Sequence, residues 1–440
     1  MSQLLIKNAT VVTLGASNKI LFHHDLLIEN DLIKDIYPTG SKNDLFLTKT
    51  IDAENKIVMP GFINVHTHFY SAFARGISKI SPAKNFNEIL SNLWWKLDSS
   101  LTLEDTKLSA MTSIIDGIKK GTTTVIDHHA SPMELSGSLD EIKKACQNLG
   151  IRACLCYEVS NRSGDVIAQL GLEENKNFLE SLDPQDKMIK GLMGLHASFT
   201  LSDETLKKAG EITKALKVGC HIHTAEAKSD QEHAQKNYRM RVVERLEKFN
   251  ILGNKTICAH CTHINDEEMK ILKDTDTAVA LNHQSNMNNA VGISDIKKMM
   301  DYDILVGLGT DAMTADMLEE LRASIWIQRL TSDNPTAGFM ECTKALVNNN
   351  AHIANRYFAN IGEIKKGYQA DVIILDYSSP TSLNKDSFLG HLVFGLCNAL
   401  VETTIVAGKI VMEKRKILLV DELTVFSEAQ IVSKKLWDRL

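Results

Sequence analysis

Eight cysteines in 440 residues are too sparse for the disulfide-stapled scaffold that small secreted folds need. Lys and Arg nowhere form a block longer than Lys414-Arg415-Lys416, and 49 Lys+Arg stand against 55 Asp+Glu for a formal net charge of −6. Gripping a phosphate backbone requires the opposite balance, which excludes nucleic acid as a main partner. No uncharged apolar run of about 18 residues is present, so no helical membrane span is expected. The opening Met1-Ser2-Gln3-Leu4-Leu5-Ile6-Lys7-Asn8 lacks the charged head, apolar middle and small-residue cleavage site of a secretory leader, and a cytoplasmic protein is expected. No Pro/Gly/Ser-rich linker, internal repeat or low-complexity tract divides the chain.

What is there is 44% hydrophobic and 24% charged, the profile of a globular protein. At about 150 residues per domain the length suggests two or three domains, although one α/β barrel alone uses about 250. Residues 4–13 and 26–36 mix apolar residues with polar breaks at strand-like spacing, and Ile57-Val58-Met59-Pro60-Gly61 closes this first β unit. From residue 61 apolar runs of strand length alternate with amphipathic stretches of helix length, which predicts βα units around a parallel sheet. Within 104–120, for example, Leu108, Met111, Ile114, Ile115 and Ile118 recur at helical spacing. Gly121 then caps the helix and the β-branched run 122–126 follows. With 62–66, 151–157, 190–195, 218–223, 255–260, 277–282 and 304–308, that run makes the eight strands a (β/α)8 barrel needs. Strand texture returns at Ile361-Gly362-Glu363-Ile364, 370–376 and 401–411, and 425–440 reads as a closing amphipathic helix.

Chemistry concentrates at the strand ends. In His66-Thr67-His68 the two imidazoles lie two residues apart on an extended chain, so both reach one face and one ion. His221-Ile222-His223 with Glu226, then His260, then Asp311 also lie at or just beyond C-terminal strand ends, the catalytic face of such barrels. Imidazoles plus one carboxylate suit a divalent metal that keeps a position for water and acidifies it. Spacing leaves open which of His221 and His223 would bind.

HTH after PGFIN, then CHIHTAE, AHCTH, SNMNNAVG, LGTDA and QADVIILD together resemble the amidohydrolase superfamily. Within it they look like the branch of cytosine, guanine and S-adenosylhomocysteine deaminases and triazine hydrolases, closest to SsnA-type aminohydrolases. The resemblance covers essentially the whole chain. It implies a (β/α)8 barrel at 61–358, with a small β-sandwich built from 1–60 and 359–440. It implies His66, His68, His223 and Asp311 as ligands of one divalent metal per subunit, zinc before iron. Glu226 is then the proton-shuttling carboxylate, His260 orients the attacking hydroxide, Asp311 also accepts a proton, and His196 contacts substrate. Trp94, Asp98 and Arg162 are further candidate substrate contacts, and a homodimer is a family expectation.

The chemistry agrees with those residue types. Hydroxide attack on a ring C–NH2 builds a tetrahedral centre, but amide anion does not leave, so a carboxylic acid must protonate first ring nitrogen and then the amine. Family members that displace chloride do not need this relay, so Glu226 tilts the reading toward deamination. Two-metal members carry a bridging Lys on the fourth strand; the fourth-strand end here, Cys156-Tyr157-Glu158-Val159-Ser160, has none. One metal is therefore expected, with Glu158 the alternative carboxylate for a second.

Several neighbours keep bland alternatives. Cys258-Ala259-His260-Cys261 has CxxC spacing but no second CxxC, so packing around His260 is expected rather than zinc or redox chemistry. His263 competes with His260 for the catalytic role, and His128 and His129 face the same mouth. Asn286 is a pocket group by family position and a loop residue by default. The expected activity is a hydrolytic deaminase acting on a purine- or pyrimidine-like heterocycle. The rivals are a chlorohydrolase or amide hydrolase on the same scaffold, and a non-catalytic binding or assembly protein.

Overall fold

In a computed structural model the chain is described for residues 3–42, 47 and 49–440. Met1 and Ser2 of the N-terminal reading, and 43–46 and 48 within the first β unit, lie outside the described residues. Parallel strands and helices alternate through the middle of the chain, as the apolar periodicity requires. Phe62–Thr67, Thr122–His129, Arg152–Tyr157 and Ile189–Gly191 form one parallel sheet. Met193–Ala197, Cys220–Thr224, Ile257–His260, Ala278–Leu281 and Val306–Leu308 form another. Isolated parallel bridges Val159–Leu195 and Thr67–Asp311 join the ends of the two sheets. All eight residues of Thr122–His129 are buried, as expected for strands covered on both faces.

The helix Leu103–Lys119 shows how local sequence sets these units. Thr102 opens it with a capping box closed by Asp105, and its apolar stripe is buried. Lys120 ends it, and Gly121 at φ +83° turns the chain in a conformation that Gly adopts without strain. The fourth strand is broken at Leu192: its first part pairs with Arg152–Tyr157 and its second with Cys220–Thr224. Close approach explains Gly194, where a Cβ would fall 2.3 Å from the Tyr157 carbonyl oxygen.

Both chain ends share one nine-stranded mixed sheet. Gln3–Val12 lies beside Ile57–Pro60, which pairs with Val372–Asp376, which pairs in turn with Leu400–Val406. Arg152 ties this sheet to the parallel strands. Its guanidinium sits bidentate on Asp371 at 3.0 Å for both contacts, and both side chains are buried.

Residues 26–36 of the first β unit form two antiparallel strands, Ile20–Glu29 and Leu32–Pro38, turning at Asn30 with φ 53°, a conformation Asn tolerates. Two sequence expectations are corrected. Ile361-Gly362-Glu363-Ile364 is not a strand; Gly362 is left-handed and the segment bends back toward Thr13. Arg152–Tyr157 is third in sheet order, so Glu158 stands at the third strand end and His196 at the fourth, where there is again no Lys. The closing helix runs Glu422–Arg439, and among the described residues no helix is long and apolar enough to cross a membrane.

Candidate active site

Backbone pairing assembles the site. Asp311 N–H and Thr310 N–H both donate to the His66 carbonyl, at 3.0 and 2.9 Å, and Thr67 Oγ1 donates to the Asp311 carbonyl at 3.1 Å. The last strand end is thereby stitched to the first. Ala225, His260 and Asp311 have φ of 47°, 70° and 52°. Left-handed backbone costs a non-glycine residue about 1–3 kcal/mol, and its clustering where strands end is strain held by the surrounding fold.

Ligand-type atoms of His66, His68, His223 and Asp311 all lie within 4.8 Å of one another, buried. Hydrogen bonds set which nitrogen each ring presents. His68 Nδ1 donates to the His128 carbonyl at 2.5 Å and His223 Nδ1 to the His196 carbonyl at 3.0 Å. Nε2 is therefore the nitrogen each ring offers as a ligand once deprotonated, and the two face each other at 3.2 Å. His66 Nδ1 meets His221 Nε2 at 2.9 Å, which leaves His66 Nε2 buried without a hydrogen-bond partner and 3.7 Å from Asp311 Oδ1. Facing ring nitrogens, a partnerless nitrogen and a carboxylate form a set that a divalent cation satisfies. His221 stands behind His66 and outside this group.

Charge behaves accordingly. Burial pushes His66 down to about 3 and His223 well below its usual value. Burial pushes His68 down as well, but the Asp311 carboxylate at 3.0 Å outweighs it and lifts the ring to about 9. Asp311 is raised by burial, yet its contacts with His66 and His68 hold it well below the carboxylate range. The proton His68 holds beside Asp311 is one that a cation bound there would displace.

Glu226, His260 and Asp311 form a second group within 4.8 Å. His260 Nε2 is 3.7 Å from both Glu226 Oε2 and Asp311 Oδ2. Burial raises the Glu226 carboxyl above its ordinary range against the pull of His260. Asn289 donates to Glu226 Oε1 at 3.4 Å. His263 turns away onto the Val291 carbonyl at 2.6 Å. On the other flank His128 Nδ1 lies 3.2 Å from Glu158 Oε2, and His196 Nε2 3.7 Å from Glu158 Oε1.

A cavity opens over these groups. Of the proposed substrate contacts, His196, Trp94 and Asp98 line it, whereas Arg162 stands behind Asp98, which it grips at 2.5 Å. Trp94 and Asp98 reach the mouth from a helical stretch after the first strand, with a wide π-type turn over Leu90–Trp94. Burial lifts the Asp98 carboxyl to about 6 despite Arg162. Sequence reasoning passed over Trp95, Tyr70 and Asn289, which also line the cavity. A second Trp beside Trp94 and the Asn run in SNMNNAVG were the available signals. Asn286 lies beneath the surface against His260, His129 bonds Ser131, and Cys258 and Cys261 are buried free thiols.

Residues 57–411 match the sequence model of the amidohydrolase family. The chain is 33% identical over 431 residues to a 5-methylthioadenosine/S-adenosylhomocysteine deaminase of Carboxydothermus hydrogenoformans, covering 97% of this chain and 96% of that one. It superposes on an adenosine deaminase from Xanthomonas campestris with bound zinc at a TM-score of 0.86 and 20% identity, over 99% of this chain and 98% of the other. An atrazine chlorohydrolase from Arthrobacter aurescens TC1 complexed with zinc matches at a TM-score of 0.84 and 19% identity, over 98% and 100% of the two chains. Likeness at this level shows a shared fold, the (β/α)8 barrel of these enzymes.

Proposed function

Because the chain belongs to the amidohydrolase family, we propose that it is a metal-dependent aminohydrolase that removes ammonia from a C–NH2 group of a purine- or pyrimidine-like heterocycle. The observation that carries this reading is the grouping of Glu226, His260 and Asp311 beside the four-residue cluster at one cavity floor.

His66, His68, His223 and Asp311 would hold a divalent cation, zinc before iron, which would act as a Lewis acid and make water a usable nucleophile near neutral pH. Every other step belongs to side chains. His260 Nε2 turns the attacking water toward the ring carbon. Glu226 takes one proton from that water and delivers it to the neighbouring ring nitrogen, so the ring does not build up negative charge. Asp311 takes the second proton, which departs on the amine through Glu226. Nitrogen thus leaves as ammonia, and the ring carbon keeps the oxygen as a carbonyl. His196, Trp94 and Asp98 hold the heterocycle, and Arg162 acts on it through Asp98.

One cation per site is favoured by the nitrogen count. His68, His128, Glu158 and His223 form a neighbouring group within 4.8 Å. His68 and His223 have one free nitrogen each, so both groups cannot be filled through those atoms together. We also propose that the two parallel sheets close as one barrel through the Val159–Leu195 and Thr67–Asp311 bridges. The mixed sheet from 1–60 and 359–440 then serves as the β-sandwich module beside it. Eight free cysteines support a reducing, cytoplasmic setting.

Ammonia release from a panel of amino-substituted purines, pyrimidines and triazines, run beside Glu226→Ala and His68→Ala, tests the reading. Turnover surviving in both variants refutes the mechanism. Chloride release from a chlorinated ring without ammonia replaces the deaminase with a chlorohydrolase.

A further inference from the structure

The short helix His283–Asn288 packs beneath the site, and its Asn286 meets His260. Asn286 is fully buried and does not reach the cavity; its Oδ1 lies 2.8 Å from His260 Nδ1. Its Nδ2 is turned the other way, 3.0 Å from Thr262 Oγ1. The opposite ring nitrogen, His260 Nε2, is buried with no hydrogen-bond partner. A buried N–H without a partner is rarer and costlier than an unfilled lone pair. Asn286 Oδ1, an acceptor, thus fixes a proton on Nδ1 and turns Nε2 toward Glu226 and Asp311, each 3.7 Å away.

The helix is itself clamped. Glu320, on the helix Met317–Thr331, accepts the backbone N–H groups of His283 at 2.7 Å and Gln284 at 3.4 Å. Ser324 meets His283 Nδ1 at 2.8 Å. Gln328 donates to the Ser294 carbonyl at 2.6 Å, and Ser294 Oγ donates to the carbonyl of the left-handed His260 at 2.9 Å. One helix thus fixes both the Asn286 side chain and the His260 backbone.

We propose that Asn286 is a positioning residue that sets the tautomer of His260, leaving Nε2 free to accept a hydrogen bond from the attacking water, and that Glu320 holds Asn286 in place. This rests on the aminohydrolase reading for its use, but its structural half is measurable without turnover. The probe is a long-range ¹⁵N–¹H spectrum of the zinc-loaded holoenzyme labelled at histidine nitrogen, with His260 identified by its loss in His260→Gln. Nδ1 is expected protonated and Nε2 bare. Asn286→Leu should mix the tautomers and lower kcat by about 10- to 100-fold with KM unchanged, in the range found when hydrogen-bond partners behind a functional group are removed. Asn286→Asp should restore the Nδ1 proton and recover most of that loss. If Asn286→Leu fails to fold, Glu320→Gln reads the same spectral change in weaker form. A wild-type Nε2–H, a spectrum unmoved by these substitutions, or a KM that rises in step with the fall in kcat overturns the proposal. A chain that deaminates nothing refutes the function while the spectrum still decides the tautomer.

Discussion

Glu226→Gln isolates proton transfer from everything else the site does. The amide keeps the size of the carboxylate and can still meet Asn289, which lies 3.4 Å from Oε1, but it cannot carry a proton. Positioned acid–base groups contribute about 10²- to 10⁴-fold. At about 1.36 kcal/mol per decade the barrier should therefore rise by about 3–5 kcal/mol. Metal content should stay at the wild-type level, because the four clustered ligand-type residues exclude Glu226. The assay is steady-state ammonia release beside metal analysis of the same preparation. The pH profile supplies an independent check. Burial raises the Glu226 carboxyl, so activity falls as acid protonates it, and this limb should begin above the usual carboxylate range and vanish in Glu226→Gln. A variant that keeps a fifth of the wild-type kcat with full metal refutes the assignment of the shuttle to Glu226.

His68→Ala removes one of two facing imidazoles 3.2 Å apart, and should strip bound metal on dialysis and abolish turnover while the fold survives, as metal analysis and circular dichroism would show. Asp371→Ala leaves the Arg152 guanidinium buried and unpaired, and should cost about 3–5 kcal/mol in urea unfolding. Burial lifts Glu320 to about 8 from a reference of 4.5. The folded state then holds a proton that the unfolded chain releases, so stability contributed here is present below pH about 4.5 and declines as pH rises toward about 8. Denaturation midpoints across that range should show a shallower decline in Glu320→Gln, and an identical slope would remove Glu320 from the account.

Local patterns were legible for reasons that are themselves local. Thr122-Thr123-Thr124-Val125-Ile126 is a strand because β-branched side chains suit an extended backbone, and Gly121 before it ends a helix because it alone is comfortable at φ +83°. The third strand end was taken for the fourth, since sheet order is not written in the spacing of apolar runs. Asn289, Trp95 and Tyr70 escaped because a side chain's direction at a cavity depends on the turn that carries it.

The order of residues along the chain determined which chemical groups were present and at which strand ends they stood, because apolar periodicity and the HxH spacing act within a few residues. Only the tertiary structure decided which nitrogen each histidine presents. His68 and His223 are oriented by carbonyls 60 and 27 residues away, and His66 by a ring 155 residues away. Those contacts exist because parallel strands bring distant residues side by side, and a hydrogen bond is blind to the length of chain between its partners.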